Sequence, residues 1–403
     1  MQGYEAFTCA PYRRGVAPPV RRPDVLLLAT NPGLALAASR CLWDAGMTFQ
    51  LVSTGRYASV TSMSNCVGSA HVDAAAVRDD DPALLATLQR ALELSPSTVV
   101  VPAGLPATFF LSRHQDALPA RQVFPVSSYD VLLELDDKWR FGELLGRLLQ
   151  PHPGTTLVTS LEQAREIPVD DKLVLKPLAA EGSLGVRVVS SSAELVAAIE
   201  PIEAAGLMPV LVQEFIPGDD MGVNVIADHG EVLGTRVQKF EADGRLSFLD
   251  RPDAVAIATA VVKETGAHGV FNFDLRRDEA TDRLFMTECN PRIYATSHKS
   301  AYSGMNPVAL GVELARAGRV RVLPAEPTDV QPPLRTLARV LRKQRDDVNP
   351  ASRRCMDAEV RNPLSSGLRL AELRLPGLAE RLRGEQRGTW AAFDAAQGHH
   401  AAW

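Results

Sequence analysis

Asp24–Thr30 reads Asp-Val-Leu-Leu-Leu-Ala-Thr, a continuous apolar run of strand length with no alternation to mark a wet face. A strand of that kind is buried on both sides, as in a parallel sheet covered by helices. The turn Asn31-Pro32-Gly33 follows, then helical periodicity from Leu34 to Ala45 that stops at Gly46. Thr48–Val52 is the next strand, so the chain opens on a βαβ unit. Helical Pro82–Leu94 and the strand Thr98–Val101 continue the pattern, which predicts a Rossmann-like, doubly wound α/β domain over residues 24–130. Its first turn lacks the G-x-G-x-x-G glycines that let backbone approach a pyrophosphate, which argues against dinucleotide binding there.

With 403 residues the chain exceeds a single core and divides into subdomains. A net charge of −5 gives no reason to expect nucleic acid or an anionic membrane as partner. The five cysteines (9, 41, 66, 289 and 355) form no C-x-x-C pair, so they indicate neither a zinc site nor a disulfide framework. With no membrane-length apolar run and no signal-peptide pattern, the expected location is cytoplasmic. Residues 1–23, with Pro11, Pro18, Pro19 and several arginines, read as an N-terminal arm.

Beyond residue 130 the pattern changes. A helix is expected from Asp136-Asp137-Lys138 to about Leu149, with an acidic first turn that suits its dipole. Thr155–Val158 and Lys172–Pro177 read as strands, and Lys176 sits inside the second one, either snorkelling or aimed at an anion. The following loop carries Gly182, Ser183 and Gly185, whose bare amides suit phosphate oxygens. A plain hairpin turn is the alternative. Helical Ala193–Ala204 precedes the strands Pro209–Gln213, Met221–Ala227 and Glu231–Lys239, the last two joined through His229-Gly230. This half reads as α+β, an antiparallel sheet with helices on one side.

Ala254–Thr265 is helical, and two further strands follow, Gly269–Leu275 and Phe285–Arg292, joined by the polar connector Arg276–Arg283. Glu288 and Asn290 share a strand face, and Asp274 joins it if even positions pair with even. A one-residue slip would send Asp274 to the other side. Two carboxylates and an amide oxygen suit Mg²⁺, and Arg292 adds a permanent planar cation. Isolated acids near a hairpin are more often solvated, but these sit in strands whose other face is apolar. Pro307–Ala317 is helical, and from Pro324 the chain reads as Pro-rich, then arginine-rich and irregular to Trp403, a solvated face or packing arm.

Taken in order, Asp137-Lys138, Lys176-Pro177, the Gly182–Gly185 loop, Gln213–Asp220, Asp274 and Glu288-Cys289-Asn290-Pro291-Arg292 resemble the ATP-grasp superfamily. The pattern is similar to stand-alone carboxylate–amine (amino-acid or peptide) ligases and to half of a carbamoyl-phosphate synthetase large subunit. The resemblance implies an ATP-grasp fold: the Rossmann-like domain, then two α+β subdomains that clamp ATP, over residues 131–212 and 213–323, with an extension over 324–403. It implies that Lys138 and Lys176 contact ATP phosphates and that Gly182, Ser183 and Gly185 close over them. Gln213 or Glu214, with Phe215 and the backbone at Ile216, would read adenine, and Asp220 the ribose. Asp274, Glu288 and Asn290 would ligate one or two Mg²⁺ ions, with Mn²⁺ a possible substitute. Arg292, with Lys176, would act on the transferred phosphoryl group. Ser297, His298 and Lys299 are candidates for reading the acid substrate, with His298 equally read as a surface residue.

The implied chemistry is amide formation through an acyl phosphate, from small-molecule carboxylate and amine substrates, in a chain expected to form homodimers. No biotin-attachment or glutaminase segment is legible. Ligases of the D-alanine type carry arginine where this chain has Asn272, which throws weight onto Arg292. A kinase acting on bicarbonate or carbamate, and a non-catalytic ATP-binding module, are the competing readings.

Overall fold

The computed structural model describes residues 22–78, 80–178, 185–342 and 348–374, with side chains to residue 368. Gly182 and Ser183, most of the N-terminal arm and the end of the C-terminal extension lie outside the described residues. The described chain divides into two compact units, one of residues 22–132, 222–272 and 290–374, the other of residues 133–221 and 273–289.

In the first unit β1 (Val25–Ala29), β2 (Phe49–Ser53), β3 (Cys66–His71) and β4 (Val99–Ala103) form a parallel sheet of order β3-β2-β1-β4. The apolar run of β1 serves two cores. Val25, Leu27 and Ala29 pack into one, Leu26 and Leu28 into another, as side chains alternating across a doubly covered sheet must. The expected turn at Asn31 is the helix start itself. Asn31 Oδ1 accepts from Gly33 N (2.9 Å) and Leu34 N (3.1 Å), with Pro32 at the first position of the helix Pro32–Asp44. Gly104 closes the sheet end at φ +129°, where a Cβ would lie 2.2 Å from Thr30 Oγ1, so only glycine fits.

In the second unit β5 (Thr155–Val158), β6 (Leu173–Pro177), β7 (Arg187–Val189) and β8 (Val210–Glu214) make an antiparallel sheet of order β5-β8-β6-β7. The helix Ser192–Ala204, capped by Ser191, covers it through Leu195, Ile199 and Ile202.

A six-stranded sheet carries β9 (Gly218–Asp228), β10 (Glu231–Phe240), β11 (Leu246–Leu249), β12 (Gly269–Asp278), β13 (Leu284–Asn290) and β14 (Thr328–Val330) in the order β13-β12-β9-β10-β11-β14. Strand β12 extends to Asp278, so the connector to β13 is only residues 279–283, shorter than the sequence suggests. Asp278 N donates to Arg283 O at 2.9 Å, and Asp282 sits between at φ +58°. Along β13 the covered face changes: Leu284 and Met286 are buried and Glu288 and Asn290, on the same face, half-buried, while Phe285 and Thr287 are half-buried and Cys289 buried on the other.

The C-terminal extension is not irregular throughout, contrary to expectation. It folds into the helices Pro333–Leu341, Pro350–Arg361 and Pro363–Arg374. Each begins on proline, which starts helices as readily as it ends them. Ala351, Cys355 and Ala358 join Leu246, Phe248, Tyr302 and Val330 in one core, and Arg354 pairs with Asp44 at 2.8 Å. The segment packs, as an arm of the first unit.

Candidate active site

In the second unit a cap aims the first lysine. Asp136 ends a helix the sequence did not reveal, Tyr129–Asp136, and Asp137 caps the next, its Oδ1 accepting from Trp139 N and Arg140 N at 3.0 Å each. Lys138 is therefore the first residue of the helix Lys138–Arg147, and its Nζ lies 3.6 Å from Glu288 Oε2.

Lys176, inside β6, is held at its tip. Nζ donates to Gln213 Oε1 at 2.8 Å, and Gln213 Nε2 donates to Thr155 Oγ1 at 2.9 Å. Burial pushes the Lys176 pKa below the ordinary lysine range and Lys138 adds to the fall, while Glu288, Asp274 and Asp220 oppose it. Five charged groups from five segments thus share one electrostatic neighbourhood: Lys138, Lys176, Asp220, Asp274 and Glu288. Thr287 Oγ1 donates to the Asp274 carbonyl at 3.2 Å, tying β13 to β12 beside them.

The expected adenine hinge is braced from β12. Arg276 donates through Nε (3.1 Å) and Nη2 (2.9 Å) to Ile216 O, and through Nη1 to Asp220 Oδ1 at 2.6 Å. Its guanidinium lies 5.8 Å from the centre of the Phe215 ring. Glu214 is exposed, its Oε2 accepting from Gly154 N at 3.2 Å. Arg277 pairs with Asp219. Sequence reasoning assigned Arg276 to the connector and missed it. The available signal was period: Arg276 stands two residues after Asp274, on the same strand face.

Asn290 and Arg292 belong to the first unit. Asn290 Nδ2 donates to Asn272 Oδ1 (3.5 Å), Asn272 Nδ2 to Asn224 Oδ1 (3.0 Å), and Asn224 Nδ2 to Gln238 Oε1 (3.0 Å), which also accepts from Thr296 Oγ1 (2.9 Å). The run of amides crosses β13, β12, β9 and β10, and each bond fixes the direction of the next amide. Asn272 was singled out from sequence only as the place of a missing arginine, and Asn224, Gln238 and Thr296 not at all, although polar residues inside apolar strands were the signal for the amides. Arg292 lines a small cleft with Phe124, Val126, His268 and Ile293.

The three substrate candidates lie at the start of the helix Ser297–Tyr302. Ser297 is fully buried and used locally, donating to Tyr294 O at 2.7 Å and accepting from Tyr294 N at 3.1 Å. His298 is half-buried rather than exposed: its Nδ1 is covered, and desolvation pushes its pKa well below the usual imidazole value. Burial lowers Lys299 likewise.

Residues 207–337 match the family described as ATP-grasp in the biosynthetic pathway with Ter operon. The structure aligns with the L-amino acid ligase of Bacillus licheniformis at a TM-score of 0.57 and 16% identity, over 81% of this chain and 85% of that one. The chain has the ATP-grasp fold. The biotin carboxylase domain of the Hydrogenobacter thermophilus 2-oxoglutarate carboxylase shares this ATP-grasp architecture at a TM-score of 0.56 and 18% identity, over 75% of this chain and 71% of that one. In sequence the chain is 24% identical over 185 residues to the arginine-specific carbamoyl phosphate synthase large chain of Geobacillus stearothermophilus. That match spans 42% of this chain and only 17% of the far longer relative.

Proposed function

We propose that this ATP-grasp chain is an ATP-dependent ligase that joins a carboxylate to an amine through an acyl phosphate, releasing ADP and phosphate. The observation that carries the reading is the setting of Lys176: a desolvated ammonium pinned by Gln213, beside a second lysine and three carboxylates. Such a mixture suits a metal–polyphosphate complex, because the lysines match phosphate oxygens and the carboxylates match a hard cation. The biotin carboxylase domain named above was crystallised with MgADP and bicarbonate, which supports the same assignment here.

In this reading Lys138 and Lys176 take the phosphates, and Gly185, at φ +73°, ends the loop that closes over them with Gly182 and Ser183. Glu214, Phe215 and Ile216 face the base, Gln213 sets the direction of Lys176, and Arg276 holds Asp220 for the ribose. Asp274, Glu288 and Asn290 would hold one or two Mg²⁺ ions (or Mn²⁺), which when bound offset the phosphate charge. The carboxylate oxygen of the acid attacks the γ-phosphorus as the bond to ADP breaks. The amine nitrogen then attacks the acyl carbon, phosphate leaves, and the nitrogen gives up a proton. Positioning and charge neutralisation suffice for phosphoryl transfer, which fits a site built of cations and acids with no nucleophilic dyad. An amino-acid or dipeptide class of product, and a role in small-molecule biosynthesis, are part of the same proposal, and the likeness in fold to the L-amino acid ligase supports them.

The test is ADP and phosphate release from the purified chain against a panel of amino-acid pairs. Turnover that requires both an acid and an amine supports the ligase. The sequence likeness to carbamoyl phosphate synthase favours a second reading, phosphorylation of bicarbonate or carbamate. ADP formation stimulated by bicarbonate and indifferent to every amine would replace the first reading with the second.

A further inference from the structure

Strands β9 and β10 meet at Asp228-His229-Gly230, and His268 stands at the entry to β12, all within the first unit. The three functional side chains converge. Asp228 Oδ1 lies 2.7 Å from His229 Nδ1 and 3.1 Å from His268 Nδ1, and the three donor atoms all fall within 4.8 Å of one another. The two imidazole rings stack at 4.0 Å between centroids, 29° apart. His268 Nδ1 is buried and makes no hydrogen bond of sound geometry with the carboxylate beside it. None of these residues takes part in the ATP-grasp chemistry described above.

The backbone around the trio is fixed before any ligand arrives. His268 N donates to Ser127 Oγ (2.9 Å) and Ser127 Oγ donates back to His268 O (3.1 Å). Gly269 follows at φ +126°, where a Cβ would lie 2.6 Å from Pro125 O. On the other side Gly230 N donates to Ala267 O at 2.9 Å, and His229 and Gly230 hold left-handed φ of +45° and +88°, as a two-residue hairpin turn between β9 and β10 requires.

We infer that Asp228, His229 and His268 form a binding site for a divalent transition metal of the Zn²⁺ class. Two imidazoles and one carboxylate are nitrogen-rich, borderline ligands that select Zn²⁺ over the Mg²⁺ proposed for the oxygen-only set at Asp274, Glu288 and Asn290. Tetrahedral Zn²⁺ with bonds of about 2.0–2.2 Å needs donors roughly 3.3 Å apart. The observed approaches of 2.7 and 3.1 Å lie near that spacing, and binding would swing the two stacked rings apart so that both Nδ1 atoms face one ion. His229 is exposed, which leaves the fourth position to water. Bound there, the ion would staple the β9–β10 turn to the segment that enters β12.

The experiment uses the tag-free full chain, stripped of metal, dialysed, and titrated with ZnCl₂ against a chromophoric indicator in excess Mg²⁺. The expected result is one Zn²⁺ per chain that depends on this trio, a rise in melting temperature on loading, and tetrahedral visible bands when Co²⁺ replaces it. His229→Ala, at an exposed position that leaves the core intact, should weaken binding by more than the ~10–100-fold that losing a supporting residue costs. It should also abolish the melting shift and the Co²⁺ bands, and His268→Gln should do the same. Glu288→Gln should leave the Zn²⁺ stoichiometry unchanged. Zn²⁺ uptake that is absent from the wild type, or equally tight in His229→Ala, overturns the assignment. So does uptake lost in Glu288→Gln.

Discussion

Lys138 Nζ stands 3.6 Å from Glu288 Oε2, so the lysine that starts a capped helix and the carboxylate of β13 answer each other's charge. In the proposed site that pairing is what the nucleotide and its metal would exchange for their own contacts. Glu288→Gln keeps the shape and removes the charge. We expect kcat to fall by on the order of a hundredfold or more, while ADP affinity, measured by calorimetry, falls far less. Full activity in this variant would move the metal site elsewhere.

Lys176 sets a pH limit. Burial lowers its pKa, so in the free protein its ammonium loses a proton below the ordinary lysine range as pH rises. The protonated form is the one that binds phosphate, so kcat/KM for ATP should decline on the alkaline side earlier than an exposed lysine would allow. Bound phosphate favours the charged form, so kcat should hold to higher pH than kcat/KM. Lys176→Arg stays charged throughout and should erase the alkaline limb of kcat/KM, at some loss of absolute affinity because its fork does not fit Gln213 as an ammonium does. A limb that persists unchanged in Lys176→Arg belongs to another group.

Arg292 separates binding from chemistry. If its guanidinium acts on the transferring phosphoryl group, Arg292→Ala should lower kcat by roughly a thousandfold, the scale of a transition-state arginine. KM for ATP should change by much less. Single-turnover acyl-phosphate trapping in quenched-flow experiments reads the chemical step directly. A variant that loses ATP affinity and keeps its chemical rate would make Arg292 a nucleotide-binding residue instead.

Much of this was legible in the sequence because periodicity and burial coincide. The run Val25–Ala29 could only be a doubly covered strand, and it feeds two cores. Lys176 announced itself as a charge inside an apolar strand. What escaped was set by neighbours distant in sequence. Arg276 looked like part of a polar connector because nothing local says that Ile216 O and Asp220 await it. The C-terminal prolines looked like breakers, and only Asn349, whose Oδ1 accepts from Ser352 N, marks the second of them as a helix start. His298 looked as much like surface as site, because burial by surrounding helices leaves no trace in a six-residue stretch. Which face of β13 is covered changes between Met286 and Cys289, and spacing alone cannot show that.

The amide run gives a prediction that does not depend on turnover. Asn224 and Asn272 are both buried, and Asn272 Nδ2 satisfies Asn224 Oδ1 at 3.0 Å. Asn272→Leu strands that oxygen and removes the acceptor of Asn290 Nδ2, so unfolding by urea should show a loss of about 1–3 kcal/mol. Replacing both residues, Asn224→Leu with Asn272→Leu, removes the stranded partner along with the bond, so the double variant should be less destabilised than the sum of the singles. If Asn290 serves as a metal ligand aimed by this run, Asn272→Leu should also raise the Mg²⁺ concentration needed for half-maximal activity, with kcat at saturating Mg²⁺ closer to normal. Strict additivity in the cycle would mean that the two amides do not act as a pair. An unchanged Mg²⁺ requirement would show that Asn290 does not need Asn272 to take up its direction.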